Sequence, residues 1–334
     1  DYVVQGYRSL SCGNLYAMTC ERALGLLAER GGFGIIVPIS VVCTQRMGVL
    51  QDLLVYGSDT VWFSNYAERP GKLFVGAEVL LTIILAKRGP CQEPQMFSTG
   101  FQKWSSEDRA WLFPKLYYSP IDRKLKPYVI PKLSSTLENS ILHKLELEPK
   151  RLGSSTLSQS SHALYYRIGG GRYWKIFTNF QPCFVLNGKQ SVSSRENYLH
   201  FASEKHRDAA VAILSSSLFY WYFILTTNCR DLNIVDLNEF PLALDRVNPA
   251  VLEQLATRCS ELMAEYRTKS QLKEKTSSLT GDIQYEEFYP RLSKPIIDQI
   301  DRVLARHYGF TDEELDFIIN YDIKYRMGKD ADVE

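Results

Sequence analysis

The residues with the clearest chemistry in this sequence lie in an aromatic and basic run near its middle, YYRIGGGRYWKIFTNFQPCFV, which begins at Tyr165. Guanidinium and amide groups can read base edges in the major groove of DNA, whereas lysine side chains mostly contact phosphates. The run therefore favours a nucleic-acid surface, and Lys103 and Trp104 extend it toward the N-terminus. Within and just after the run, the candidate residues are Arg167, Arg172, Tyr173, Lys175, Asn179 and Lys189.

The distribution of charge supports a surface for a polyanion in the same part of the chain. The 334 residues carry a net charge of only +1. Residues 1–86 contain 6 Lys or Arg and 7 Asp or Glu, residues 87–210 contain 19 and 10, and residues 211–334 contain 14 and 21. A basic middle third inside a nearly neutral chain is typical of nucleic-acid binding, although basic patches also occur on proteins that bind none.

No residue spacing in the sequence indicates a nucleophile, a metal site or a cofactor loop. The five histidines lack metal-ligand spacing, and the seven cysteines include no Cys-x-x-Cys pair. We therefore expect reduced thiols, a cytoplasmic location and no structural zinc. A cofactor loop would need glycines directly after the first strand. The glycines at 31, 32 and 34 instead follow a predicted helix, and those at 169–171 fit a hairpin turn.

The elements that position these residues are predicted from hydrophobic spacing. Residues 15–30 predict an amphipathic helix, and the apolar run FGIIVPISVV predicts a central strand of a parallel sheet, buried on both faces. A second helix over 46–56, a strand over 60–66 and an apolar strand over 79–86 follow. This order describes part of an α/β sheet, because the first apolar strand needs parallel neighbours on both sides.

Beyond residue 90 the pattern becomes irregular and then helical. Residues 164–185 predict two aromatic strands joined by a glycine turn. Alternation along the second strand would place Arg172 and Trp174 on one face, with Tyr173 and Lys175 on the other. The later segments predict a long helix over 203–225, a short strand in DLNIVDLNEFPL, a helix over 248–275 and two more helices within 294–326.

Two features bear on membranes and on the ends of the chain. The longest uncharged run, Ala209 to Cys229, approaches the length of a membrane span but contains three Ser, two Thr and one Asn. We predict a buried helix there and no membrane partner. The sequence begins at Asp1 without a charged and apolar leader, so we expect it to start inside a longer polypeptide.

Several segments resemble one enzyme family. GNLYAMTCERALGLLAERGGFGIIVPIS resembles the segment that follows the catalytic Asn-Pro-Pro-Tyr loop in gamma-class DNA adenine-N6 methyltransferases, especially those of type IIG restriction-modification enzymes. Asn14-Leu15-Tyr16 matches the family's Asn-Leu-Tyr helix, and Gly34 to Pro38 matches its Gly-x-Ile-Val-Pro strand. Further resemblances follow in the family's order: SNYAERPGKLFVGAEVLLTIILAK, TGFQKWSSEDRAWLF, DLNIVDLNEFPL and YDIKYRMG.

The resemblance implies a fold and a domain order. The fold class is α/β, with a partial Rossmann-like methyltransferase sheet, an α+β target recognition domain and a helical C-terminal tail. Residues 1–90 would be the C-terminal half of the catalytic domain, residues 91–245 the target recognition domain, and residues 246–334 the helical region.

The resemblance also implies an activity, transfer of a methyl group from S-adenosylmethionine to adenine N6 in duplex DNA. The family's cofactor motif and Asn-Pro-Pro-Tyr loop lie upstream of the matched segments, and the sequence contains no Pro-Pro pair. The expected partners are therefore duplex DNA and a missing N-terminal half, with or without a nuclease domain. In this chain Phe74 matches the family's aromatic residue against the flipped base. Ala77 and Glu78 stand where members carry a basic residue, which puts that phosphate contact in doubt.

Two other functions are compatible with the sequence. A non-catalytic DNA-binding specificity module would use the methyltransferase remnant as a scaffold, and it would bind duplex DNA without needing S-adenosylmethionine. Methylation of an amino group in RNA or protein would use a similar loop, but a protein-modifying relative has little need of a large basic recognition region.

Overall fold

The computed structural model describes residues 5–89, 93–122, 124–278 and 281–328. The chain divides into two compact units. The N-terminal unit comprises residues 1–139 and 224–228, and the C-terminal unit comprises residues 140–223 and 229–334. The fold is a mixed α/β structure with one five-stranded mixed sheet and two antiparallel four-stranded sheets.

The N-terminal unit is built on the five-stranded sheet, whose strand order is β1-β3-β2-β4-β5. The strands are β1 Gly32–Pro38, β2 Thr60–Tyr66, β3 Leu81–Lys87, β4 Gln95–Gln102 and β5 Ser119–Ile121. Strand β3 runs antiparallel to both β1 and β2, β4 runs parallel to β2, and β5 runs antiparallel to β4. Strands β1, β2 and β4 therefore point the same way, and their carboxyl ends lie at one edge of the sheet, called here the carboxyl edge.

The prediction of β1 as a central strand between parallel neighbours is wrong for the described residues. Strand β1 lies at the end of the strand order and pairs only with the antiparallel β3. Its side chains alternate between exposure and partial burial, and Ile36 is 44% exposed. Near-continuous apolarity is typical of strands covered on both faces, and here one face of β1 lacks that cover.

Helices cover the other face of this sheet. These helices are α1 Leu15–Leu26, which packs against β1, and α2 Gly48–Tyr56, which packs against β2. Helix α3 Thr136–Glu146 follows later in the chain. The side chain of Asn14 caps α1 by accepting a hydrogen bond from the backbone N–H of Tyr16 at 3.2 Å. The buried face carries Val61 and Phe63 of β2 and Ile84 of β3.

A buried asparagine joins the central strands of this sheet. The Asn65 side chain donates to Ser98 Oγ at 3.2 Å and to the Thr99 carbonyl at 3.1 Å. Its Oδ1 accepts a hydrogen bond from Thr82 Oγ1 at 2.9 Å. Asn65 is fully buried, so these partners replace the water that its amide would otherwise need.

The C-terminal unit contains both antiparallel sheets. The second sheet has the order β6-β11-β7-β8 and the third has the order β10-β9-β13-β12. Their strands are β6 Thr156–Leu157, β7 His162–Arg167, β8 Phe177–Thr178, β9 Phe184–Leu186, β10 Lys189–Gln190, β11 Glu196–Phe201, β12 Gln271–Ser277 and β13 Gly281–Glu287. The helices after α3 are α4 Glu204–Ser215, α5 Ser217–Thr226, α6 Ile234–Asn238, α7 Pro249–Lys269, α8 Lys294–Tyr308, α9 Asp312–Asn320 and α10 Ile323–Arg326.

The apolar run from Ala209 to Cys229 forms buried helices, but not the single long helix that its sequence predicts. The backbone breaks at Ser216, and α4 and α5 are bent by 65°. Nearly every residue of the run is buried inside the protein. In the part of the chain that the structure describes, no single helix has the length and apolar character to cross a membrane, and only the bent pair α4 and α5 passes that test together.

Further sequence predictions differ from the structure. The segment DLNIVDLNEFPL contains helix α6 rather than a strand, because Asn233 and Asp236 form a capping box that starts a helical turn. The helix predicted over 248–275 ends at Lys269, and the residues after Ser270 form β12. Strands β4 and β5 continue the first sheet beyond residue 90, and the hairpin β12–β13 interrupts the helical C-terminal region.

The Asn65 network yields a stability prediction. We expect Asn65→Ala to lower the free energy of unfolding by about 2–3 kcal/mol, because the buried Thr82 hydroxyl would lose its acceptor and the Thr99 carbonyl would keep only the Ser98 hydroxyl. Urea denaturation followed by circular dichroism measures the change. Asn320→Ala at the exposed end of α9 is the control, with an expected change below about 0.5 kcal/mol. Equal stability of the two variants would contradict the role given to Asn65.

Candidate nucleic-acid interface

The carboxyl edge of the five-stranded sheet presents an exposed apolar loop tip. The loop of residues 67–80 connects β2 to β3 at this edge. Phe74 is 48% exposed, and Val75 beside it is fully exposed. Ligands of open α/β sheets bind outside the carboxyl ends of the parallel strands. The loop tip therefore lies where a ligand of this sheet is expected.

Hydrogen bonds hold the backbone of this loop before Phe74. The Arg109 guanidinium donates to the carbonyls of Lys72 and Leu73, each at 2.9 Å. The backbone N–H of Gly71 donates to the Trp104 carbonyl at 2.7 Å, and a Cβ at position 71 would overlap the Trp104 indole. Only glycine permits this close approach, so the backbone is held from Gly71 to Leu73.

An apolar cluster lies beneath the loop, and it includes one predicted DNA-binding residue. Tyr66, Leu73, Trp104 and Leu112 are buried together, and the rings of Tyr66 and Trp104 meet edge to face at 5.9 Å. Burial raises the pKa of Tyr66 to about 12, so its hydroxyl stays protonated. Trp104 is 3% exposed and supports the loop. Its ring has no open face for DNA, so we remove it from the candidate surface.

The charged residues around the loop give this edge little net charge. The Glu78 carboxylate lies 3.6 Å from the Arg69 guanidinium and 3.8 Å from the Lys72 ammonium. All three side chains are more than a third exposed, so these pairs add little stability. Lys103, which follows β4, is half-buried with its ammonium 5.6 Å from the Phe101 ring centre. Glu78 thus offsets part of the positive charge of Arg69 and Lys72.

In the C-terminal unit, several predicted DNA-binding residues are part of the core. Residues 172–176 do not form a strand, so the predicted alternation is wrong, and Tyr173, Trp174 and Lys175 are buried in succession. The Tyr173 ring stacks on Tyr325 at 6.3 Å. Trp174 lies 3.7 Å from the Arg326 guanidinium, and its indole N–H donates to the Arg326 carbonyl at 2.9 Å. Packing against the C-terminal segment has taken these aromatic rings out of solvent.

Lys175 stabilises the glycine turn from inside. Its ammonium donates to the carbonyls of Gly170 at 3.1 Å and Arg230 at 3.0 Å, and it lies 4.6 Å from the Phe223 ring centre. The residue is 6% exposed. A lysine held by two carbonyls and an aromatic face is unavailable to a DNA phosphate.

The remaining predicted residues of this unit differ in exposure. The Asn179 amide donates to Asp208 Oδ1 at 2.9 Å and is half-buried. Arg172 is also half-buried, whereas Arg167 at the end of β7 and Lys189 in the β9–β10 hairpin are exposed. Arg167 and Lys189 are thus the best placed of the predicted residues to meet DNA.

Sequence analysis missed Arg109, because nothing in its local sequence shows that it reaches the loop 36 residues upstream.

One cavity among the described residues does not fit S-adenosylmethionine. A shallow cavity of about 620 Å³ lies on the uncovered face of the five-stranded sheet, and Gly34, Trp62 and Leu85 line it. Its charged lining residues are Arg30 and Lys87. Positive groups repel the sulfonium of this cofactor, and the lining offers no carboxylate to accept its ribose hydroxyls. This cavity therefore carries no proposal of a cofactor site.

Removing the Arg109 clamp should loosen the loop without unfolding the protein. We expect Arg109→Ala to speed amide hydrogen exchange in residues 72–79 by about tenfold, because two charge-assisted hydrogen bonds are lost. Exchange in β2 should not change. Arg22→Ala on the exposed face of α1 serves as the matched control. If exchange in the loop were as slow in the variant as in the unchanged protein, Arg109 would not be the clamp.

Lys175 and Lys189 should respond in opposite ways to substitution. We expect Lys175→Ala to lower the free energy of unfolding by about 2–3 kcal/mol, because the carbonyls of Gly170 and Arg230 lose their donor and the Phe223 ring loses its cation. Lys189→Ala should change it by less than about 0.5 kcal/mol. Thermal or urea denaturation of both variants measures the difference. A Lys175→Ala variant of full stability would show that the lysine is not structural.

Comparison with known proteins gives structural likeness at low sequence identity. No protein-family model and no curated protein matches the chain. The structure of the type IIL restriction-modification enzyme MmeI in complex with DNA gives a TM-score of 0.46 at 11% identity, covering 93% of this chain and 51% of that one. The DrdV–DNA complex gives 0.38 at 9% identity, covering 94% and 52%. The type IIG restriction endonuclease BpuSI gives 0.32 at 9% identity, covering 91% and 47%. The chain spans about half the length of these enzymes.

Proposed function

We propose that this chain is the C-terminal part of a DNA adenine-N6 methyltransferase. In this proposal, the N-terminal unit supplies the aromatic side chain that supports the target base, and the C-terminal unit contacts the duplex around it. The observation that carries the proposal is the position of Phe74, half-exposed on a clamped loop at the carboxyl edge of the sheet.

The surroundings of Phe74 suit it for stacking on an extruded base. A methyltransferase must take the target base out of the duplex, and the base is then held between apolar or aromatic side chains. Stacking of one base on one aromatic ring contributes about 1–3 kcal/mol. Because Leu73 anchors the loop in the core and Arg109 holds its backbone, Phe74 loses little further freedom when it binds.

The outer edge of β1 and the uncovered face of the five-stranded sheet support the proposal that an N-terminal half completes the catalytic domain. The outer edge of β1 has no partner strand among the described residues, and an exposed strand edge is a template for pairing. On the uncovered face, Ile36 is 44% exposed and its neighbour Leu85 is 45% exposed. In the proposal, the missing N-terminal half pairs with β1, covers this face, and brings S-adenosylmethionine and the catalytic loop.

The proposal extends to a restriction-modification enzyme of type IIG in the cytoplasm. Its sequence basis is the order of family-like segments from Gly13 to Gly328. Cleavage of unmethylated duplex DNA by the longer polypeptide would establish a fused nuclease. A non-catalytic specificity module remains the alternative, and it predicts duplex binding with no methyl transfer by any form of the protein.

Methyl transfer tests the proposal. We expect no transfer of labelled methyl groups from S-adenosylmethionine to duplex DNA by residues 1–334 alone, and transfer when the upstream half is present on the same or a second chain. In the active form, Phe74→Ala should lower methylation about tenfold or more, because the extruded base loses its stacking partner.

Two controls make this test specific. Tyr56→Ala removes another exposed aromatic ring, on α2, and should leave methylation unchanged. Phe74→Tyr keeps the ring and should retain most of the activity. Methylation by residues 1–334 alone would overturn the proposal, and so would full activity of Phe74→Ala.

A further inference from the structure

We propose that one face of the third sheet binds duplex DNA, with Lys189 on the phosphates of one DNA strand and Lys273 and Lys275 on those of the other. This inference rests on the proposed function, since it names a surface by which the C-terminal unit would hold its substrate. The face is called here the lysine face, and it carries Leu186, Lys189, Lys273, Lys275, Ile283 and Tyr285.

The strand register places the three lysines on one side of the sheet. Lys189 of β10 pairs with Leu186 of β9. Leu186 also pairs with Ile283 of β13, which in turn pairs with Lys275 of β12. Directly paired residues of antiparallel strands point to the same side, so this row crosses all four strands with a lysine at each end. Lys273 lies two residues before Lys275 and therefore points to the same side.

A two-residue turn holds Lys189 in its place on this face. Asn187 and Gly188 have φ values of 50° and 76°, as the two-residue turns that match the twist of a hairpin require. The Asn187 N–H donates to the Asp282 carbonyl at 2.8 Å, and Asn187 Oδ1 accepts a hydrogen bond from the Asp282 N–H at 2.9 Å. The turn before Lys189 is thus bonded to the start of β13.

The two faces of the third sheet differ in charge. Within its four strands, the lysine face carries three lysines and one carboxylate, Glu287. The opposite face carries Glu274, Asp282 and Glu286 and no Lys or Arg. In the β12 sequence QLKEKTS the lysines alternate with Glu274, so composition alone conceals this separation. The lysine face is therefore a positive surface inside the acidic last third of the chain, and its charge complements a polyanion.

The lysines of this face are available to a ligand. Lys189 and Lys275 are exposed, and neither forms an ion pair with a residue that the structure describes. The Lys273 ammonium lies 3.7 Å from the Glu287 carboxylate, and its side chain is 41% exposed. Glu287 also accepts a hydrogen bond from the Tyr289 hydroxyl. Because an exposed ion pair of this kind contributes little stability, Lys273 can exchange it for a phosphate at small cost.

The spacing of the lysines favours a duplex. Neighbouring strands lie about 4.8 Å apart, so the three steps from β10 to β12 separate the backbones of Lys189 and Lys275 by about 14 Å. The major groove of B-DNA is about 12 Å wide, and the flexible lysine stems can adjust to the phosphates on its two sides. Ile283 and Tyr285 lie half-buried between the lysines. They do not offer the open aromatic faces on which single strands stack their bases.

Fluorescence anisotropy with the 334-residue chain and a short labelled duplex tests the inference. We expect Lys189→Gln with Lys275→Gln to raise the Kd about tenfold and to reduce the magnitude of the slope of log Kd against log salt by about 2, because two phosphate contacts are lost. Adding Lys273→Gln should reduce that magnitude by about 1 more.

Matched variants separate a local effect from a general effect of net charge. Arg302→Gln with Arg306→Gln removes two exposed positive charges from α8 and should leave the Kd and the slope unchanged. Lys189→Arg with Lys275→Arg keeps the charge on the lysine face and should retain both values. Circular dichroism of every variant checks that the fold is intact.

The outcomes distinguish this inference from the proposed function. If the unchanged chain binds the duplex and the variants of the lysine face bind it equally well, the inference is overturned while the proposed function stands. Absence of duplex binding at low salt would also overturn the inference, whereas methyl transfer by the form with the upstream half would still decide the proposed function. If a single strand or an RNA duplex of the same sequence bound more tightly through these lysines, duplex DNA would be the wrong occupant.

Discussion

The geometry of the N-terminal unit depends on the insertion of β3 between β1 and β2. Because β3 is antiparallel to both, the chain that leaves β2 turns back at the carboxyl edge. A parallel strand in that place would need a long crossover and would remove the connecting loop from this edge. The loop of residues 67–80 therefore lies at the carboxyl edge as a consequence of strand direction, and it takes Phe74 with it.

The loop shows how a short segment can be fixed and exposed together. Exposed apolar residues on a mobile loop would lose conformational freedom on binding, and that entropy cost would weaken the contact. Here the loop loses this conformational entropy during folding, because Leu73 enters the core and Arg109 binds the adjacent carbonyls. The apolar tip at Phe74 and Val75 remains outside. The loop therefore combines an anchored base with an open apolar tip.

Local patterns in the sequence predicted the helices and strands of residues 15–87 and several later helices, but they missed most of the later strands. The strand over 60–66 has its predicted bounds, and the helix starts at Asn14 and Thr311 follow from their caps. The break at Ser216 was missed, although three consecutive serines, residues 215–217, interrupt the apolar run there. The role of Lys175 was missed because one of its carbonyl partners, Arg230, lies 55 residues away. The spacing of residues along the chain shows the periodicity of helices and strands. It does not show which distant carbonyl will accept a hydrogen bond from a buried cation.

Distant contacts also decide how much of the basic charge of the C-terminal unit is exposed to solvent. A count of Lys and Arg treats every cation as surface charge, yet Arg326 is fully buried between Trp174 and Tyr220, and Lys175 is enclosed by carbonyls. Burying a cation is tolerated only where aromatic faces and acceptors replace water. Such cations stabilise the fold and cannot release counterions from DNA. A count of basic residues therefore overstates the positive charge that this unit presents to solvent.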